Sequence, residues 1–132
     1  MRLYFLVGLG GALGTVTRLY LSDVAMRAWG PSFPWGTLFI NGTGCLLIGF
    51  FVAATEIGGR WTLPPELRLA VSVGFCGGYT TFSAFSFQTL ELYRDGAWVR
   101  AGAYVLGTVI LCLASVALGH WLGTLFNSRI AR

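Results

Sequence analysis

The sequence predicts an all-α membrane protein of four transmembrane helices, with the third helix broken near its midpoint. Three observations carry this. Of the 132 residues, 55% are apolar and only 11% charged, and the mean hydropathy is +0.71, well outside the composition of ordinary soluble domains. Four apolar runs approach or exceed the roughly 20 residues a helix needs to cross a bilayer core: Leu3 to Leu21, Trp35 to Thr55, Leu67 to Leu90 and Trp98 to Phe126. Little sequence remains between them, so the chain reads as a single four-helix domain over residues 1–132.

The first run carries Gly8, Gly10, Gly11 and Gly14, and the last carries Gly119 and Gly123. Small residues four apart let helix backbones approach closely where lipid supplies no hydrophobic drive between helices. Met1-Arg2 before an apolar stretch resembles a secretory signal, but the stretch outruns a signal's usual length. Pro31 and Pro34 mark the first connection, with Trp29 and Trp35 suited to a membrane interface. Thr62, Pro64, Pro65 and Glu66 are start signals for the third span. Asp95-Gly96 makes the turn before the fourth. No internal repeat is visible, so any two-fold symmetry requires a second subunit.

Nine arginines and no lysine face five carboxylates. With alternating spans, Arg2, Arg60, Arg68, Arg129 and Arg132 fall on one side and Arg18, Arg27, Arg94 and Arg100 on the other. An excess of basic residues in short cytoplasmic loops sets orientation, and five against four is almost no excess. The expectation is insertion in both directions. The scattered charge also argues against a nucleic-acid binder, which gathers basic residues on one face.

Asp23, Glu56, Glu66, Glu91 and Asp95 all lie at span ends or in loops, so the ionisable midplane group typical of proton-coupled carriers is missing. His120, beside Trp121, reads as interfacial. Cys45, Cys76 and Cys112 sit inside spans without metal-ligand spacing and read as small packing residues. Neither a catalytic triad, a zinc motif nor a phosphate loop occurs. An enzyme is not indicated.

Uncharged polarity inside the spans remains. It comprises Thr37 and Asn41 in the second, the Thr80 to Ser86 cluster in the third, and Tyr104, Thr108, Cys112 and Ser115 in the fourth. At 100° per residue Phe82, Phe85, Ser86 and Thr89 share a face, and Ser83 and Phe87 another. Gly77-Gly78-Tyr79-Thr80-Thr81 weakens the helix at its centre, where irregular backbone is tolerated only if buried in protein or lining a cavity. Its released carbonyls are hard ligands suited to an ion such as Na⁺. Hydroxyls and amides donate to anions, and the edge of a Phe ring is its positive part. With no midplane carboxylate to repel an anion, the residues point to a path for a small anion.

Three segments then carry a resemblance: GGALGTVTR (Gly10 to Arg18), GTLFINGTG (Gly36 to Gly44) and GFCGGYTTFSAFS (Gly74 to Ser86). In order and spacing they resemble the signatures of the CrcB-like (Fluc) fluoride channels. The resemblance implies an antiparallel, dual-topology homodimer in the plasma (inner) membrane, with two fluoride pores that let cytoplasmic fluoride escape. It also implies a structural Na⁺ on the two-fold axis, held by backbone carbonyls of Gly77 and Thr80 from both subunits. Phe82 and Phe85 would meet fluoride with their ring edges and Asn41 would line the pore. Tyr104 and Thr108 would form a hydroxyl track, with Ser83 and Thr81 nearby, and Arg18 would draw anions to a vestibule. The chain departs from the family pattern at Gln88, where many members carry Glu, at Ala84, where Thr is frequent, and at Cys112, where a hydroxyl is frequent and Ser115 could substitute one turn on.

Two other classes fit four small spans. A dual-topology drug or guanidinium exporter would want a carboxylate within the first span, and Leu3 to Leu21 has none. A non-transporting assembly subunit would use the polar lines for packing alone.

Overall fold

The computed structural model describes residues 1–56 and 61–128, so Arg60, Arg129 and Arg132 of the charge count above lie outside the described residues. Among the described residues every regular element is helical: α1 (Arg2–Trp29), α2 (Trp35–Ala54), α3 (Pro65–Leu69), a π-helical segment (Ala70–Phe75), α4 (Cys76–Tyr79), α5 (Phe82–Arg94) and α6 (Trp98–Ser128). By length and hydropathy α1, α2 and α6 can each cross a bilayer. The sequence predicts a fourth span from Leu67 to Leu90, broken near its midpoint. That stretch is assembled from short pieces, none of which spans a membrane by itself.

The pieces have local causes. Pro65 opens α3 at a position where its missing N–H costs nothing. After Tyr79 the chain leaves the helix, with Thr80 at φ −82°, ψ 159° and Thr81 at φ −151°, ψ 114°. Thr81 then caps α5, its hydroxyl accepting the Ala84 N–H at 3.1 Å. The π segment has no counterpart in the sequence reading. Gly30 (φ 72°) and Gly96 (φ 73°) turn the chain between α1 and α2 and between α5 and α6. Arg100 ties the first of these turns down by donating from Nη1 to the Ser32 carbonyl at 3.1 Å.

Glycines set the helix packing. A Cβ at Gly10 would strike the Ala70 carbonyl, one at Gly14 the Phe75 carbonyl, and one at Gly78 the Gly11 carbonyl. The first span therefore lies backbone to backbone along the third, residue numbers rising together. Gly119 stands against the Leu46 carbonyl, Gly49 against that of Val116, and Gly123 against that of Phe50. This locks α6 against α2 in the same parallel sense. Spans one and three, and two and four, are thus the intimate pairs, as alternating passes allow.

The interior is correspondingly small-residued: Ala25, Ala53, Ala54 and Ala101 are buried, with Tyr104 and Ile40 the largest side chains wholly enclosed. Most large apolar residues of α1 and α6 face outward, including Leu13, Leu19, Ile110 and Leu113. For a chain surrounded by lipid that outward face needs no cover.

Gly14→Ala and Gly119→Ala each drive a methyl into a backbone carbonyl that cannot move aside. They should destabilise the folded protein by about 1–3 kcal/mol. Gly107→Ala, where a Cβ meets nothing, should be neutral or slightly stabilising. Thermal unfolding in detergent, followed by loss of the monodisperse species, checks both expectations.

Candidate functional site: a polar cavity at the helix interruption

The interruption exposes backbone groups that a continuous helix would have paired, and Asn41 takes two of them. Its Oδ1 accepts the Thr81 N–H at 2.8 Å and its Nδ2 donates to the Thr81 carbonyl at 3.1 Å. The amide of α2 thereby replaces, across two elements, what the helix gives up. Both Asn41 and Thr81 are buried, where an unpaired peptide group costs about 1–3 kcal/mol.

The same capture releases two carbonyls. In an unbroken helix the Thr81 N–H would bond to Gly77 and the Ala84 N–H to Thr80. Here the first goes to Asn41 and the second to the Thr81 hydroxyl. The Gly77 and Thr80 carbonyls therefore lose their usual donors. Gly77 is exposed, and nothing stands within 4 Å of where its Cβ would be.

Beside the interruption lies a cavity of about 460 Å³. Asn41, Gly77, Thr80, Thr81, Phe82, Phe85 and Thr108 line it, together with all three cysteines, which are free thiols. Phe82 and Phe85 stand 5.3 Å apart between ring centroids at 50°. Phe85 is buried but Phe82 is 77% exposed.

Hydroxyls in apolar helices normally bond back to a carbonyl three or four residues earlier. Ser86 does so to Phe82 and Thr89 to Phe85, so both are occupied within α5. Thr80 bonds to the Cys76 carbonyl at 2.9 Å. Thr108 is different. It is 5% exposed, and its Oγ1 is the buried side-chain polar atom left without a partner among the described residues. It faces the cavity that Asn41 lines.

A second hollow of about 630 Å³ opens at one end of the molecule, between the α1–α2 turn and the last turns of α5. Phe33, Gln88, Glu91, Arg94 and Asp95 line it. Between the two hollows stands Tyr104, fully enclosed. Its ring meets Phe33 edge-on at 5.4 Å and Phe85 at 5.2 Å, and its hydroxyl donates to Gln88 Oε1 at 2.9 Å.

The sequence-predicted residues thus separate. Asn41, Thr81, Phe82, Phe85 and Thr108 meet at the cavity, with Gly77 and Thr80 on its rim, and Tyr104 adjoins it. Ser83 is exposed at the start of α5, its hydroxyl 3.2 Å from that of Thr81. Ser115 lines a separate hollow of about 170 Å³ between α2 and α6, and Cys112 holds the cavity position on that side of α6. Arg18 is half-buried on α1 and lines neither the cavity nor the end hollow.

Phe33 and Ser72 are functional candidates the sequence reading missed. Phe33 lies in a turn outside any helical pattern, so periodicity could not select it. Ser72 has a usable signal: a polar residue inside an apolar span, one helical turn after Arg68.

A profile described as CrcB-like protein, Camphor Resistance (CrcB), matches residues 5–120. The chain belongs to the CrcB-like family. Relatives of this CrcB-like chain include the fluoride-specific ion channel FluC of Opitutus terrae, 48% identical over 128 residues, which are 97% of each chain. That of Paramagnetospirillum magneticum is 49% identical over 127 residues, 96% of this chain and 99% of the relative. That of Gluconobacter oxydans is 48% identical over 128 residues, 96% and 88%. This CrcB-like chain is accordingly a multi-pass membrane protein of a channel family, not of an enzyme family.

Asn41→Ala leaves the Thr81 N–H and C=O unpaired together. It should lower stability by about 2–4 kcal/mol, more than Thr17→Ala, whose hydroxyl bonds back to the Leu13 carbonyl of its own helix. Thermal unfolding of the two variants side by side in detergent measures the difference.

Proposed function

We propose that this chain is the subunit of a fluoride-selective channel that lets cytoplasmic fluoride leave passively across the plasma (inner) membrane. It would work as an antiparallel, dual-topology homodimer with two pores. The observation that carries the reading is the unpartnered Thr108 hydroxyl in a cavity otherwise edged by Asn41 and two phenylalanines. The names of its relatives support fluoride in particular.

Fluoride must trade its water shell for donors along the protein. The Thr108 hydroxyl has a hydrogen to give, and Asn41 Nδ2 has a second hydrogen beyond the one spent on Thr81. The ring edges of Phe82 and Phe85 add weak positive potential. Donors this weak and this spaced hold an anion without trapping it, which conduction requires. The thiols of Cys45, Cys76 and Cys112 are poorer donors still. Toward the end hollow, the Tyr104 hydroxyl is committed to Gln88, so an anion moving that way must displace or share that bond. Because Gln88 is an uncharged amide, its side chain adds no charge to repel the anion.

Na⁺ fits the released carbonyls of Gly77 and Thr80. Unwound backbone carbonyls are its usual ligands in broken membrane helices, and the exposed Gly77 leaves room for a second subunit to bring its own pair. When bound, the ion would supply a fixed positive charge and join the two copies. Asn41 and the Thr81 cap hold those carbonyls free whether or not the ion is present.

Proteoliposomes of the purified protein, with voltage clamped by a potassium gradient, should release fluoride and retain chloride. Absent fluoride flux, or equal chloride flux, would defeat the reading. Thr108→Val keeps the shape and removes the hydroxyl. Flux should fall about tenfold with stability unchanged or slightly raised, since no hydrogen bond is lost. Phe82→Ile should also cut flux sharply while the dimer persists on gel filtration.

A further inference from the structure

At the end of the molecule opposite the vestibule-like hollow lies a smaller hollow whose charged lining differs. α2 runs for 20 residues, about 30 Å, and where it finishes a hollow of about 220 Å³ is lined by Thr55, Pro65, Arg68 and Ser72 among others. Arg68 is half-buried there. Its Nε donates to Thr55 Oγ1 at 3.2 Å, and Thr55, 2% exposed, sends its own hydroxyl hydrogen to the Phe51 carbonyl at 2.7 Å.

The guanidinium is thus held by a neutral, oriented oxygen rather than by a carboxylate. Of its five N–H donors, the other four meet no acceptor among the described residues. Glu56 and Glu66 are exposed and neither lines the hollow. The larger hollow at the other end sets one arginine, Arg94, against Glu91 and Asp95. The Arg68 hollow is therefore lined by a cation with no carboxylate beside it, which the larger hollow is not.

Ser72 joins this hollow to the centre, lining both it and the cavity of Asn41 and Thr108. Its hydroxyl donates to the Arg68 carbonyl at 2.8 Å, fixing the wall between the two spaces.

We propose that the Arg68 hollow is an anion-binding site, which captures a small monovalent anion at the mouth remote from Gln88 and passes it by Ser72 into the central cavity. The onward passage rests on the channel reading above; the capture does not. An arginine at a helix end also serves as an interfacial anchor with its head in water. That role would make its loss equally damaging at every anion concentration.

Two measurements decide. Crystals of the whole protein soaked in bromide should show anomalous scattering against the guanidinium in wild type and in Arg68→Lys, and none there in Arg68→Gln. Wild-type crystals without that peak overturn the site, whatever the liposomes do. In proteoliposomes, Arg68→Gln should lower efflux about tenfold at fluoride concentrations far below saturation, with rates converging on wild type as fluoride rises and Arg68→Lys close to wild type throughout. Unchanged efflux at low fluoride, or the same loss at all concentrations, overturns capture. A wild-type protein that binds bromide at Arg68 but conducts no fluoride sinks the channel reading and leaves the binding site standing.

Discussion

The fold turns on the two hydrogen bonds between the Asn41 amide and the Thr81 peptide. A helix that stops at mid-depth must answer for each peptide group it releases, because lipid offers none the partner that water would. Asn41 answers for both groups of one residue, from a different element, in a buried position. That lets Thr80 and Thr81 adopt extended backbone and lets α5 begin afresh under a hydroxyl cap. The cavity exists because the helix stops there, and the helix can stop there because an amide stands one span away.

Exchange of partners has a chemical result as well as a structural one. By drawing the Thr81 N–H sideways, Asn41 frees the Gly77 carbonyl; by capping α5, Thr81 frees that of Thr80. Oxygen ligands suited to a hard cation therefore appear within a few residues of hydroxyls and ring edges suited to an anion. No charged side chain lines this cavity. Formal charge appears at the molecule's two ends instead, so the centre can stay weakly polar.

Much of this was legible in the sequence where chemistry is local. Four apolar runs, the glycines of the first and last spans, and the Asp95-Gly96 turn each depend on neighbours close in the chain. Asn41 stands out in the sequence as polarity inside an apolar span, but its pairing with Thr81 spans 40 positions, and nothing local shows that one of its hydrogens is already spent. Tyr104, Thr108, Cys112 and Ser115 recur three or four residues apart in the fourth span, yet Ser115 opens into a different hollow, because the close approach of α2 and α6 separates the two spaces. The π segment escaped for a related reason: nothing in the local pattern of Ala70 to Phe75 marks a wide turn, which is visible only against the glycine face of α1. Arg68 was counted as a loop charge; its meaning depends on Thr55, at the far end of another helix.

The glycine contacts have a consequence for how the chain is made. Its tightest backbone matches join the first span to the third and the second to the fourth, never a span to the one synthesised next. The groove along α1 has no complement until the residues around Gly74 and Gly78 have left the ribosome, and α2 waits likewise for the end of α6. Insertion of the first two spans alone would leave both grooves lipid-filled: the first can close only once the third span is in the bilayer, and the second only once the fourth has followed.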